Sequence, residues 1–441
     1  MGLTYFIYEF SINSSYWVFQ PFNKHLSSQM TDGGKIIDKN GVILVQTKNG
    51  KRVYAENPDI RKAILHTVGD GSTLISTSIQ CRYVQEILGY NLITGFGAPE
   101  PLNRNKDIKL TLDGEVCAKV SNAFKGKKGT AIAYNYLTGE LICSVSLPTY
   151  DVYSKPVFTE DNDGIYEGVY INRALSASFV PGSIFKLFTT AAMLNSRNDS
   201  ENITFECNKI KIYEGEKVTC MKNHGRINLQ TGLCKSCDIV FGDIAVELGK
   251  DIMLKEIEKF GFNKEIKVDG ISLSRSKYDL EGATKADLAW SGIGQYKDLV
   301  NPMHMLMVMG AFANGGTPVK PFFIKEIRLS RGDTIFINSP SVYGEMVKKD
   351  VSDKIKAMMR NNTKNQYGDS MFPGMKICAK TGTGEVGEGK EPNGWIVGFS
   401  EDRKFPIAFV VLVENGGFGI KSAGPIASFM LKTIKANSTI K

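Results

Sequence analysis

From residue 107 the sequence runs as a strand-like segment (107–112), a helical stretch to residue 124, and a strand–turn–strand unit over 130–147 whose turn spans 136–139. That order predicts a sheet with a helix packed against it. The middle of the chain, 180–258, is mostly helical by its apolar periodicity. Strand patterns return at 375–380, 395–400 and 406–413, and an apolar-faced helix over 424–435 follows. Residues 1–105 differ in kind, because glycines from Gly33 to Gly97 punctuate short strand-like runs such as 41–46. Two prolines, Pro99 and Pro101, lie between apolar runs and place a boundary between a domain of residues 1–105 and a second of residues 106–441. The expectation is an α+β multidomain chain.

With 441 residues, 42% of them hydrophobic and 23% charged, the chain can bury a substantial core, which excludes global disorder and a multi-pass membrane protein. The net charge of +8 is spread along the sequence rather than gathered in a run, so it reads as a solvated surface and no nucleic acid is expected as a partner. The apolar stretch at 5–19 is broken by Glu9, Ser11, Asn13, Ser14 and Ser15, and falls short of the roughly 20 apolar residues that a bilayer crossing requires. A soluble chain is expected, or the soluble piece of an anchored one.

Chemistry enters at Pro181-Gly182-Ser183-Ile184-Phe185-Lys186, where a helical run begins. Residues three apart on a helix share a face, so the Lys186 amine can reach the Ser183 hydroxyl and act as the base that a serine nucleophile needs. Apolar neighbours such as Phe185 and Phe188 favour a neutral amine. A second signal, Ser236-Cys237-Asp238, falls in a break between helical stretches. The third is Lys380-Thr381-Gly382-Thr383-Gly384, at the end of a strand and before a polar loop over 385–394. Hydroxyls and an amine there, with glycine allowing close backbone approach, suit a substrate carboxylate. Taken singly, these segments are also what a helix cap, a helix break and a turn after a strand would give.

Together, in this order and spacing, they resemble the serine acyltransferases that bind penicillin. Gly34-Lys35-Ile36-Ile37-Asp38-Lys39-Asn40-Gly41 is similar to the opening of the pedestal in class B penicillin-binding proteins, and Leu110-Thr111-Leu112-Asp113 to the start of their transpeptidase domain. Thr138-Gly139-Glu140 and Pro148-Thr149-Tyr150-Asp151 resemble that domain's first hairpin and following turn. Ile293-Gly294-Gln295, Asn301-Pro302 and Asn314-Gly315-Gly316 match further short family runs. The resemblance implies a monofunctional D,D-transpeptidase of peptidoglycan synthesis: a β-lactamase/transpeptidase-like domain, antiparallel sheet flanked by helices, on a small N-terminal pedestal.

The same resemblance implies roles. Ser183 attacks the bond between the terminal D-alanines of a stem peptide and Lys186 takes its proton. Ser236 relays that proton to the leaving amine, held by Lys380. The N–H groups of Ser183 and Thr383 form the oxyanion hole. Thr381, Gly382 and Thr383 bind the substrate, with the two threonines and Lys380 gripping its carboxylate. β-Lactam antibiotics mimic the donor. A membrane glycan polymerase is the implied partner, and the extracytoplasmic face of the cell membrane the implied location, with a single N-terminal anchor not contained in this sequence. One departure stands out. The family usually has Asn where this chain has Asp238, and a carboxylate cannot donate the hydrogen bond that an amide gives. Asp238 is expected to pair with Lys186 or Lys380, or to face a metal, and to alter β-lactam preference.

Four cysteines, Cys207, Cys220, Cys234 and Cys237, lie within 31 residues with a Cys-x2-Cys pair at the end, a spacing that resembles a structural zinc site. His224 is a candidate to replace one of the four. Relatives in some bacteria carry counterparts of Cys207, Cys220 and Cys237. Disulfides and free buried thiols are the alternatives. A zinc here would brace the loop carrying Ser236 and Asp238, and catalysis itself needs no cofactor. Cys81, Cys117, Cys143 and Cys378 read as core thiols, and His25, His66 and His304 as structural. The competing functions are a D,D-carboxypeptidase or β-lactamase, which passes the acyl group to water, and a β-lactam-binding sensor or weakly catalytic scaffold of the same fold.

Overall fold

The computed structural model describes residues 2–13, 33–89, 105–158, 164–200 and 202–437. The expected boundary prolines and His25 lie outside them.

Three strands of the N-terminal region, β1 (Ile36–Ile37), β2 (Ile43–Lys48) and β3 (Lys51–Tyr54), are followed by β4 (Lys106–Leu110). The chain continues with the hairpin β5 (Gly129–Asn135) and β6 (Leu141–Leu147), and the stretch between two helices contributes β7 (Thr204–Cys207), β8 (Ile210–Tyr213), β9 (Glu216–Thr219) and β10 (Gly225–Asn228). Then come the short pair β11 (Lys267–Val268) and β12 (Ile271–Ser272), the hairpin β13 (Ile324–Leu329) and β14 (Thr334–Ile337), and the closing strands β15 (Ile377–Gly384), β16 (Asn393–Ser400) and β17 (Ile407–Val413).

The central sheet is antiparallel in the order β15-β16-β17-β5-β6, so the hairpin at 129–147 joins strands almost 300 residues away in sequence. Strands β6, β16 and β17 are buried at every position. Both faces of these strands are covered, and β17 accordingly reads as a continuous apolar run instead of an alternating one. Helices Gly114–Ala123 and Gly419–Asn437 pack on each other and on the sheet, and Pro302–Ala313 and Lys349–Asn362 form a second such pair. Helix Pro302–Ala313 starts cleanly because the Asn301 side chain accepts from the His304 amide and Pro302 fills the first turn.

A second, six-stranded sheet has the order β14-β13-β4-β1-β2-β3. It crosses the boundary expected at residue 105: β1 pairs in parallel with β4, and β4 pairs with β13 from much later in the chain. The N-terminal strands are thus joined in one sheet with strands that come later in the chain. Arg61 and Asp151 reinforce the junction through paired contacts of 2.9 and 2.6 Å.

Over 180–258 the expected helices are present as Lys186–Ser196 and Asp238–Lys259, but β7 pairs with β10 and β8 with β9 between them. The alternating segment Lys209 to Thr219, turning at Glu214-Gly215, carried that signal. No helix among the described residues is long and apolar enough to cross a membrane.

Candidate active site

Ser183 lies in a single 3-10 turn, Gly182–Ile184, that runs into helix Lys186–Ser196. The helix is anchored by aromatic packing: Phe185 stacks on Tyr278, and Phe188 meets Phe260 and Phe262 edge-on. With this helix fixed, Lys186 Nζ comes within 2.9 Å of Ser183 Oγ. The same amine donates to the Ser236 carbonyl at 2.8 Å, to Ser236 Oγ at 3.2 Å and to Asp238 Oδ1 at 2.7 Å.

Ser236 arrives at this point because helix Leu229–Lys235 ends on it in the left-handed conformation, φ 53°, and the chain then turns into the helix that begins at Asp238. A serine with that backbone is uncommon and is held here by its surroundings. From the opposite side Lys380 Nζ donates to Ser236 Oγ at 2.9 Å and to the Thr381 carbonyl at 2.9 Å. Ser236 Oγ therefore stands between two lysine amines, both fully shielded from solvent. Burial, with the Lys186 charge beside it, holds Lys380 well below the ordinary lysine range, and Asp238 offsets part of that.

The nucleophile turn and β15 are in backbone contact. A Cβ on Gly182, whose φ is 54°, would lie 2.1 Å from the Thr383 carbonyl oxygen, and one on Gly384 would lie 2.2 Å from that of Val180. Only glycine allows both approaches. Trp395 Nε1 donates to the Val180 carbonyl at 3.0 Å, and Gln295 Nε2 to that of Thr383 at 3.4 Å. Thr381 and Thr383 share one face of β15, two residues apart, and the strand extends through Gly384, beyond the end expected for it at residue 380. Thr381 is itself positioned by Tyr367, whose hydroxyl accepts from the Thr381 amide at 3.0 Å and lies 3.2 Å from its Oγ1.

A second cluster adjoins the first. The donor atoms of Cys207, Cys220, His224 and Cys237 all lie within 4.8 Å of one another. His224 Nδ1 is 3.5 Å from the sulfurs of both Cys207 and Cys220, and Cys220 Sγ is 3.9 Å from Cys237 Sγ. A tetrahedral zinc with its usual bond lengths needs ligand separations of about 3.5–3.8 Å, so the contacts at 3.5 and 3.9 Å are at or near that spacing, and the wider separations would close by up to about 1 Å around the ion. The described cysteines are all free thiols, and a bond would need sulfurs at about 2.05 Å, so the disulfide alternative is not realised.

Cys234, expected among the ligands, is outside this group. It sits two residues before Ser236, whose left-handed turn separates it from Cys237, and burial raises its thiol while the Lys380 charge acts against that. His224 occupies the fourth place instead. Asp238, for which a metal was one expectation, faces Lys186.

The sequence matches the penicillin binding protein transpeptidase domain over residues 129–432. The chain belongs to that family. Among its relatives, the peptidoglycan D,D-transpeptidase PbpA of Mycolicibacterium smegmatis is 23% identical over 77% of this chain and 73% of its own length. The PbpA of Mycobacterium tuberculosis is 24% identical over 67% of this chain and 64% of its own length. The transpeptidase MrdA of Acinetobacter baumannii is 25% identical over 79% of this chain, which spans 57% of that protein. In fold, this penicillin-binding protein is similar to the D,D-transpeptidase domain of a peptidoglycan glycosyltransferase from Eggerthella lenta, with a TM-score of 0.79 at 22% identity over 92% of this chain and 99% of the other. It is similar also to the imipenem acyl-enzyme complex of penicillin-binding protein A from M. tuberculosis, with a TM-score of 0.80 at 22% identity and the same coverage of both chains. The antiparallel sheet flanked by helices is the fold of this family, a serine acyltransferase family of the D,D-transpeptidase type.

Reading the sequence missed Tyr367, Trp395 and Asn362, the last donating to the Ala379 carbonyl at 3.2 Å on the strand before Lys380. None of them stands near a recognisable spacing, and only the fold brings them to β15.

Proposed function

We propose that this penicillin-binding protein cross-links peptidoglycan stem peptides through an acyl-enzyme on Ser183, and that β-lactams acylate the same oxygen. The observation that carries this is the unbroken series of contacts from Ser183 Oγ to Lys186 Nζ, on to Ser236 Oγ and then to Lys380 Nζ, at 2.9, 3.2 and 2.9 Å.

Lys380, whose buried amine favours the neutral form, is free to accept the proton that Lys186 gives up through Ser236, a transfer made against the pull of Asp238 on that proton. The freed Lys186 amine then takes the Ser183 proton as the serine oxygen attacks the carbonyl between the two terminal D-alanines. Backbone N–H groups of Ser183 and Thr383 stabilise the oxyanion. The bond to the terminal D-alanine breaks, and its amine receives the proton held on Lys380 by way of Ser236. Thr381 and Thr383 hold the terminal carboxylate until it departs with the D-alanine. An amine from a neighbouring stem releases Ser183 and completes the cross-link.

A structural zinc, held by Cys207, Cys220, His224 and Cys237, would supply a crosslink in place of a disulfide. Cys237 lies between Ser236 and Asp238, so the cluster braces the residues that face Lys186. The substrate lies outside the cytoplasmic membrane, which puts the domain on that side, beside a glycan polymerase that makes the strands it joins. The 1–105 region serves as its pedestal.

The test is purified protein given a pentapeptide donor ending in two D-alanines and an amine acceptor. Joined product with release of D-alanine supports the reading. Release of D-alanine with hydrolysed donor alone assigns a carboxypeptidase.

A further inference from the structure

Behind the nucleophile turn, the loop from Gly294 to Asp298 touches both walls of the site. The Gly294 carbonyl accepts from the Gly182 amide at 2.9 Å, and Gln295 reaches the Thr383 carbonyl. One five-residue segment thus bears on the turn carrying Ser183 and on the strand carrying Thr383. Tyr296, in its middle, has φ 67°, a backbone conformation that a bulky side chain keeps only where the structure around it enforces it.

The foot of this loop is Asp298, which is 0% exposed and whose amide donates to the Gln295 carbonyl at 3.4 Å. Its Oδ1 accepts from Ser291 Oγ at 3.3 Å. Its Oδ2 is buried without a partner, and so is the hydroxyl of Tyr278, which interacts electrostatically with it. The groups facing Asp298 are therefore Ser291, from helix Lys285–Gly292, and Tyr278, whose ring stacks on Phe185 two residues after the nucleophile. Neither carries positive charge. A carboxylate there has no counter-charge to offset the cost of burying its charge, a cost that the neutral acid avoids.

We propose that Asp298 is a positioning residue of this active site and that it works as a neutral acid, fixing the loop that holds Gly182 and Thr383 at their separation. Burial lifting its carboxyl well above the usual carboxylate range agrees with this. The inference rests on the acylation of Ser183 proposed above.

The experiment is the acylation rate with a fluorescent penicillin from pH 6 upward for the wild type, Asp298→Asn and Asp298→Leu, each checked for fold by circular dichroism. The neutral isostere keeps the rate within about threefold, and the leucine variant, folded, loses about tenfold or more because small misplacements are costly in such sites. The wild-type rate falls on the alkaline side where the Asn variant stays level. Leucine and wild-type rates that agree overturn the proposal, as does an Asn variant as slow as the leucine one. A wild type that is never acylated overturns the Ser183 reading instead, so the two failures are distinct.

Discussion

Lys186 Nζ and Asp238 Oδ1 meet at 2.7 Å, with the lysine side chain fully buried and 20% of the aspartate side chain exposed. The ion pair stands where the family usually places an amide, and it ties the nucleophile's base to the first residue of the long helix that follows Cys237. Exchange of the carboxylate for an amide keeps an acceptor for Lys186, removes the counter-charge and adds a donor. Asp238→Asn is therefore expected to change β-lactam acylation rates by roughly tenfold, and by different factors for a penicillin and a carbapenem. Stopped-flow acylation of the two proteins checks this, and equal rate ratios contradict it.

The cysteine–histidine cluster predicts which residues a metal needs. Native mass spectrometry of purified protein is expected to show one zinc per chain in the wild type and in Cys234→Ser, and none in Cys220→Ser. Because Cys237 neighbours Ser236 and Asp238, the Cys220→Ser protein is also expected to acylate more slowly, by about tenfold. Metal retained in Cys220→Ser contradicts the assignment.

Acid stability has a sign that follows from buried groups. His66 and His304 are fully buried with pKa values held at about 4 by desolvation, against 6.5 when exposed. Between those values the unfolded chain binds their protons and the folded chain does not, so stability falls as pH drops from 6.5 towards 4, by roughly 3 kcal/mol for each group. Asp269 acts in the other direction. Burial raises it to about 6 against the opposing pull of the Phe323 and Ile324 amides that donate to it, so the folded chain takes up its proton first, and its contribution grows as pH falls through 6 and is lost as pH rises. Urea unfolding at pH 7 and pH 5 is expected to show a net loss at pH 5, steeper in Asp269→Asn. A flat profile contradicts the assignment.

Gly182→Ala is expected to abolish acylation while the chain still folds, because its Cβ would collide with the Thr383 carbonyl on β15. The cost of the left-handed backbone adds about 1 kcal/mol or more. Thermal unfolding and penicillin labelling, measured together, separate the two effects, and full labelling of the variant contradicts the close approach.

Ser183 and Lys186 were legible in the sequence because their pairing is local, three residues along one helical run. The strands of the central sheet were legible as apolar runs, but not their partners, since β5 joins β17 across most of the domain. Cys234 was misplaced for a geometric reason: the Cys-x2-Cys spacing suggests two ligands from one turn, while the left-handed Ser236 turns the chain between them. His224 then completes the group from the strand connection before β10. The sheet that draws strands from both sides of residue 105 was not legible either, because β4 and β13 join β1 only through long-range pairing. Asp298 gave no signal, since burial without a counter-charge exists only in the fold.

The most direct measurement is the intact mass of the purified protein after incubation with a penicillin, beside the Ser183→Ala variant treated alike. The account predicts a stable adduct of one drug mass, mapped to the peptide containing Ser183 and absent from the variant. An adduct on another residue, or equal labelling of the variant, would contradict it.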